Sequence, residues 1–255
     1  MLASCTKGDA KLLELSEDQV LFFRAKRSHL AGLGASDLSA AAAAVLGGQA
    51  QQLAPGVWAL AMRTKGRPKA AEVEKQLFHD PRTLVRTWGQ RDTIHIYEPT
   101  TDWPLVVAAR SQWKPGGRRG LMPAREWEDE AKDLMEAAHR SLTRSDLFDM
   151  VDKDYVRALV EQAGSHKAAV RFAAGRLLWR LALRGESSIA EKVGAEQAHA
   201  LRSRWFPHLE WPHELPDPLV AASELARRYL AVYGPASPAD MAHFLVPMSL
   251  WPDSG

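Results

Sequence analysis

Apolar residues in the first eighty positions recur at three- and four-residue spacing, the period of helices with one buried face. Ser16 with Gln19 forms a capping-box pattern that opens a helix through about Leu30, with Val20, Leu21, Phe23 and Leu30 as its apolar stripe. Ser36 stands where a cap would start a second, alanine-rich helix, which Gly47-Gly48 would end. Trp58 to Met62 reads as a short apolar element. Lys69 to Phe78 reads as a helix with Val73 and Leu77 on one face, stopped before Pro81. The period then changes to alternation. Val85-Arg-Thr-Trp88 and Thr93-Ile-His-Ile-Tyr97 read as strands around the polar turn Gly89-Gln-Arg-Asp92. Helices followed by a hairpin make a winged helix-turn-helix pattern.

The pattern restarts after a basic stretch bearing proline and glycine, Pro115 to Pro123. Glu126 to Arg140 reads as an amphipathic helix with Trp127, Leu134 and Met135. Thr143-Arg-Ser-Asp146 caps a helix running from Leu147 to about Val151, and His166 to Arg184 reads as a long helix. A third start follows. Glu224 to Tyr233 is a helix stopped by Gly234-Pro235, and Ser237-Pro-Ala-Asp240 caps another, with Pro238 at its first position. Thr143-x-Ser145-Asp146-Leu147 matches Ser237-x-Ala239-Asp240-Met241, each after an amphipathic helix and a short turn. We read this as a duplicated helix-turn-helix unit rather than two unrelated caps. The chain is therefore expected to be mainly α with small β-hairpins, as tandem winged helix-turn-helix modules. The expected division is a first module at 1–102, a basic linker at 103–125, a second module at 126–222 and the start of an incomplete third at 223–255. Leu225, Leu230, Met241, Phe244 and Leu245 would then need cover from the second module, or stay partly exposed.

Composition sharpens this little. Hydrophobic residues make up 46% and charged residues 25%, as a globular chain with a core requires. The lone cysteine, Cys5, excludes an internal disulfide framework and a cysteine-based zinc site. Met1 to Lys11 lacks the apolar core of a signal peptide, and no apolar run reaches membrane-spanning length. A cytoplasmic protein with no membrane partner is the expectation. The net charge of +2 is uninformative, but its distribution is not. Trp103 to Arg125 holds no acid, with Arg110, Lys114, Arg118, Arg119 and Arg125 basic. Gly164 to Arg184 holds none either, with Lys167, Arg171, Arg176, Arg180 and Arg184 basic. Such stretches are either solvated faces or phosphate-binding ones. No glycine-rich phosphate loop, metal-ligand cluster or Ser-His-Asp set stands out, so neither metal nor cofactor is expected. His208 and His213 sit among tryptophans and prolines in what reads as a loop.

Four stretches carry a more specific signal. They are Gln49-Ala-Gln51 with Trp58-Ala-Leu-Ala-Met-Arg63, Val85-Arg-Thr-Trp-Gly-Gln-Arg-Asp-Thr-Ile-His95, Leu142-Thr-Arg-Ser-Asp-Leu147, and Arg227-Arg-Tyr-Leu-Ala-Val-Tyr-Gly-Pro-Ala-Ser-Pro-Ala-Asp240. In this order they resemble the winged-helix DNA-binding proteins that include the AlkZ-type and YcaQ-type alkylpurine DNA glycosylases. The resemblance implies tandem winged-helix modules around a DNA-binding concavity and a Gln-x-Gln motif falling on Gln49 and Gln51. Relatives often have Asp after the second Gln, and Gly and Met in the hairpin, where this chain has Gln52, Asp92 and Gln90.

The implied chemistry is coherent. An N7- or N3-alkylated purine is already cationic and leaves without a strong general acid. The barrier lies in forming an oxocarbenium-like sugar and delivering water to it, and two amides can orient that water and face the developing charge. The i, i+2 spacing puts both on one side of an extended backbone, which the exit at Gly47-Gly48 permits. Taken as residues alone, Gln49 and Gln51 read as surface amides at a helix end, and only the resemblance gives them a catalytic role. The implied partner is double-stranded DNA carrying alkylated purines, with no obligate protein partner and a nucleoid location. The residues expected to touch DNA are Arg86, Arg91 and His95 on the hairpin, Arg110, Lys114, Arg118 and Arg119 in the linker, and the stripe Arg176, Arg180 and Arg184. The alternative is a non-catalytic winged-helix DNA binder or regulator, against which stands the absence of a heptad seam for dimerisation.

Overall fold

In the computed structural model, residues 14–111 and 123–245 are described. The chain is mainly helical, with two small antiparallel sheets. Lys114, Arg118 and Arg119 lie outside the described residues.

Helix α1 (Glu17–Arg27) begins at the expected capping box: Gln19 N donates to Ser16 Oγ and Ser16 N to Gln19 Oε1. Its apolar stripe is not a core face. Leu21 and Leu30 are more than half exposed and no residue of α1 is buried, because the helix is held instead by Arg24, which donates to the carbonyls of Tyr233 and Pro235. Helix α2 (Leu38–Ala44) is capped by Asp37 rather than Ser36. The Asp37 carboxylate accepts from Ala40 N at 2.8 Å, and Ser36 donates to its other oxygen.

The strand β1 (Gly48–Gln49) follows, then α3 (Leu53–Ala61) and α4 (Ala70–Phe78). The expected hairpin forms as β2 (Val85–Trp88) and β3 (Ile94–Tyr97), joined by a 3-10 turn at Gln90–Asp92. The sheet order is β1-β3-β2, with Gln49 opposite His95 and Trp88 opposite Ile94. Leu38, Ala42, Val57, Leu60, Val73, Leu77 and Ile96 form the core under this sheet.

The linker expected from residue 103 does not begin there. Helix α5 (Asp102–Arg110) occupies those positions, with Trp103 fully buried and Val106 and Val107 beside it. The acid-free run hid an apolar helix face.

The second unit contains α6 (Arg125–Ala137), α7 (Lys153–Ala163) and α8 (His166–Leu183) around Met135, Leu147, Leu159, Leu177 and Leu181. The helix expected from Leu147 to Val151 is a single 3-10 turn, Ser145–Leu147, and α7 starts afterwards at its own Asp152 cap. A hairpin unforeseen in the sequence closes the unit: β4 (Ser187–Val193) and β5 (Glu196–Leu201). Leu142 bridges to His199 through reciprocal 2.8 Å backbone bonds, so a short extended segment flanks β5 much as β1 flanks β3.

The short α9 (Arg202–Trp205) leads to α10 (Pro218–Tyr233) and α11 (Pro238–Leu245). Helix α10 starts six residues before the expected Glu224, at an Asp217 cap with Pro218 in its first turn. Its cover comes mainly from the first unit rather than the second, and part of the apolar set stays partly exposed, as the other alternative had it. Leu225 and Tyr229 pack with Leu46, Val85, Tyr97, Trp103 and Val106, so the first unit and α5 bury them, while Met241, Phe244 and Leu245 are partly buried against the same cluster. Leu230 is the exception, at 39% exposed.

Candidate functional site

The chain leaves α2 through two left-handed residues, Leu46 (φ 56°) and Gly47 (φ 88°). A Cβ at Gly47 would lie 2.2 Å from the Tyr97 ring, so only glycine permits the approach. The backbone is then extended. Ala50 points inward and is 1% exposed, whereas Gln49 and Gln51 on either side are exposed, the alternation that an i, i+2 pair on one face requires. Gln49 Oε1 accepts from Arg91 Nη2 at 3.0 Å, and Gln51 Oε1 accepts from Ile94 N at 3.1 Å.

Gln49 opens into a cavity of about 250 Å³, whose walls include Arg63, Arg91, His95, Tyr233 and Phe244. Gln51 does not line it. Tyr233 and Phe244 reach the cavity from α10 and α11, with their rings 5.5 Å apart. Tyr233 Oη also donates to Val45 O at 3.3 Å. Arg63 Nη1 donates to Ala59 O, and the Nε of both Arg63 and Arg91 is buried with no hydrogen-bond partner among the described residues. Burial lowers the Arg63 pKa from its ordinary value.

His95 faces Gln49 across the sheet and is 2% exposed. Burial pushes its pKa down to about 4, reinforced by Arg91 and Arg110 and opposed by a contact with Thr93 O, so the ring is neutral at pH 7. It stacks on Tyr97 with centroids 5.6 Å apart, making it an interior ring of the site rather than an exposed wing residue.

The turn beside the site is pinned from inside. Gln90 is buried, donates to Leu46 O at 2.8 Å and accepts from Tyr97 Oη. Arg110 donates to Gly89 O and pairs with Asp92 in a buried contact. Arg91, at the tip with φ 56°, thus projects from a fixed base.

Several arginines expected on a DNA-facing surface turn inward, since each finds an acceptor on a distant element. Arg86, 5% exposed, donates to Ala50 O and to Gln197 Oε1, joining the first sheet to β5. Arg110 is 7% exposed in the network above. Arg176, equally buried, lies 4.4 Å over the Phe172 ring. Arg180 and Arg184 converge on the buried Glu128 of α6 at 2.6 and 2.9 Å, and Arg184 also meets Asp129 and Glu186. The stripe therefore curves into the protein rather than presenting one cationic face. The cavity walls Arg63, Tyr233 and Phe244 had no signal as a set, since chain separations of up to about 180 residues divide them.

Among the described residues no group of three His, Cys, Asp or Glu could hold a metal ion, and no helix is long and apolar enough to cross a membrane.

The family model described as DNA glycosylase AlkZ-like matches residues 42–247. A curated relative, the interstrand DNA cross-link repair glycosylase of Streptomyces sahachiroi, is 26% identical over 236 residues, covering 88% of this chain and 59% of that protein. The solved structure of the Streptomyces sahachiroi DNA glycosylase AlkZ superposes with a TM-score of 0.70 at 24% identity, covering 93% of this chain and 62% of that one. The chain thus spans about three fifths of the length of each.

Proposed function

This chain belongs to the DNA glycosylase AlkZ-like family, and from that membership we propose that it hydrolyses the N-glycosidic bond of alkylated purines in duplex DNA. The observation that carries the reading is Gln49, exposed on strand β1 and opening into a cavity of about 250 Å³ with aromatic and cationic walls. In the proposed reaction the bond from C1′ to the purine nitrogen breaks. Its electron pair neutralises the cationic base, water adds to C1′, and the water's proton passes to solvent. Gln49 and Gln51 hold that water through the second lone pair of each amide oxygen, the first being taken by Arg91 and by Ile94 N. Neutral His95 adds no repulsion to a cationic base, and Arg63 and Arg91 suit the phosphates that flank the target nucleotide.

The element order supports a tandem winged-helix reading. Helix α2, strand β1, helices α3 and α4, and the hairpin β2–β3 repeat as α6, the Leu142 segment, α7, α8 and the hairpin β4–β5. The third start shares its cap with the second. Thr143 N and Oγ1 both donate to Asp146 Oδ2, at 2.7 and 2.8 Å, and Ser237 N and Oγ donate to Asp240 Oδ2, both at 2.8 Å. We assign the units to residues up to Tyr97, from Arg125 to Leu201, and from Pro218 onward.

The test is incubation with a duplex carrying one N7-methylguanine, then heating in base to cut abasic sites. The parent chain is expected to excise the base, and the Gln49→Ala, Gln51→Ala double variant to do so at least about a hundredfold more slowly. Equal rates would overturn the glutamine mechanism. Duplex binding without excision by the parent would favour the non-catalytic reading.

A further inference from the structure

A second cleft lies outside the glutamine site, where the end of β2 meets α8. It encloses about 230 Å³ between Trp88, Phe172 and Trp179, with Arg144 and Arg171 at its rim. No carboxylate lines it among the described residues, in keeping with the acid-free run from Gly164 to Arg184. Phe172 is 45% exposed, and it shares the cleft with two tryptophans, so the apolar surface there is contiguous rather than a single exposed ring. Its cation neighbour Arg176 lies over the ring and fixes it. Trp88 Nε1 is buried with no hydrogen-bond partner among the described residues. Gly175 opens the floor: a Cβ there would come 3.3 Å from Arg144 Cδ, so the missing side chain lets Arg144 lie close along α8.

The position relative to the glutamines is set by the sheet. Gln51 is hydrogen-bonded to Ile94 N, and Ile94 stands opposite Trp88. Trp88 is thus two strand spacings from Gln51, roughly 10 Å across the sheet, a span of a few nucleotides. The duplicated element order strengthens the link. Leu142 pairs with His199 as Gln49 pairs with His95, so Arg144 stands in the second unit where Gln51 stands in the first.

We propose that this cleft is a nucleotide-binding site that stacks one unpaired base of the bound DNA on Trp88 and Phe172 and holds its flanking phosphates with Arg144 and Arg171. Cations alone would serve a duplex backbone as well. The aromatic lining decides between the two, because paired bases are already stacked and offer no π-face, whereas an unpaired base can lie on the exposed Phe172 ring, one face of which Arg176 covers, and on the partly buried Trp88. The proposal rests on the DNA-directed reading above but not on catalysis, so it is tested by binding.

The probe is a short single-stranded oligodeoxynucleotide with one 2-aminopurine, whose fluorescence is quenched by stacking, compared with the same sequence fully paired. The expected result is quenching on the single strand, with affinity lowered about tenfold by Phe172→Ala and by Arg171→Gln, and little changed by Lys167→Gln one turn away on exposed surface. Phe172→Leu, which keeps the apolar bulk without the π-face, should behave like Phe172→Ala. Absence of quenching, or unchanged affinity in both Phe172 variants, overturns the proposal. Excision of N7-methylguanine, measured on the same proteins, fails or survives independently of this readout.

Discussion

The guanidinium of Arg91 donates to Oε1 of Gln49 across 42 positions of sequence. The arginine projects from a turn whose base is locked by Gln90, Tyr97 and Arg110, so the contact fixes which end of the Gln49 amide faces the cavity. Arg91 is a positioning residue in this reading. Arg91→Ala is expected to leave folding intact and to slow single-turnover excision about tenfold, the scale of one charge-assisted hydrogen bond. Arg91→Lys should recover part of the rate. A loss confined to duplex affinity, with an unchanged single-turnover rate at saturation, would assign Arg91 to phosphate binding alone.

The two glutamines should separate in stability. Gln51 Oε1 accepts from Ile94 N, which Gln51→Ala deprives of that partner at a cost of about 1 kcal/mol. Gln49 Oε1 accepts from the solvent-facing end of the Arg91 side chain, which water can satisfy in its place, so Gln49→Ala should melt with the parent. Urea titrations of both variants make the comparison.

Glu128 is 1% exposed and accepts from Arg180 and Arg184. Glu128→Ala leaves two guanidiniums without their shared acceptor, although Arg184 keeps Glu186. The expected loss is about 3 kcal/mol, at the low end for breaking a buried pair. Arg184→Glu should act in the same way, lowering stability. Arg171→Glu, on exposed surface, should leave stability alone and flatten the salt dependence of DNA binding. An Arg184→Glu protein as stable as the parent, with a flattened salt slope, would return that residue to the DNA surface.

Acid should weaken the fold in a defined window. His95 and His199 are both buried, and burial pushes each pKa down to about 4. In the unfolded chain they titrate near 6.5. Between these values the unfolded state binds more protons, so stability is full above about pH 6.5 and falls as pH drops toward 4. Asp146, held down to about 2 chiefly by Arg140, contributes its loss only below about pH 4 and does not blur the window. Denaturant midpoints at pH 7, 5.5 and 4.5 should decline in order, and His199→Gln should shallow the decline. A flat profile would mean that the rings take up protons as readily in the folded state as in the unfolded one.

Local signals in the sequence located much of this fold. The Ser16–Gln19 box, the hairpin around Gly89–Asp92 and the Pro238 helix start each depend on residues a few positions apart, and each stands where expected. Helix α5 was missed because its tryptophan and valines lie in an acid-free run that invited a linker reading. The β4–β5 hairpin was missed because Gly194 is the lone turn signal between its strands, and Ser187, Ser188, Ile189 and Ala190 are buried on both faces, so no alternation shows. The exposed pair Gln49 and Gln51 could be placed on an extended exit from a helix. The fate of the arginines could not, since whether a guanidinium faces solvent or Glu128 is decided by an acid some fifty positions away.

The aromatic wall of the Gln49 cavity has a consequence for how the protein comes into being on the ribosome. Val45 waits for Tyr233, 188 residues later, before that side of the cavity can close. At elongation rates of roughly 5–20 residues per second, the strand bearing the glutamines is made some ten to forty seconds before its far wall. A nascent first unit therefore displays both amides and the underside of Tyr97 to water, and the enclosure around Gln49 closes only after Tyr233 and Phe244 have been made.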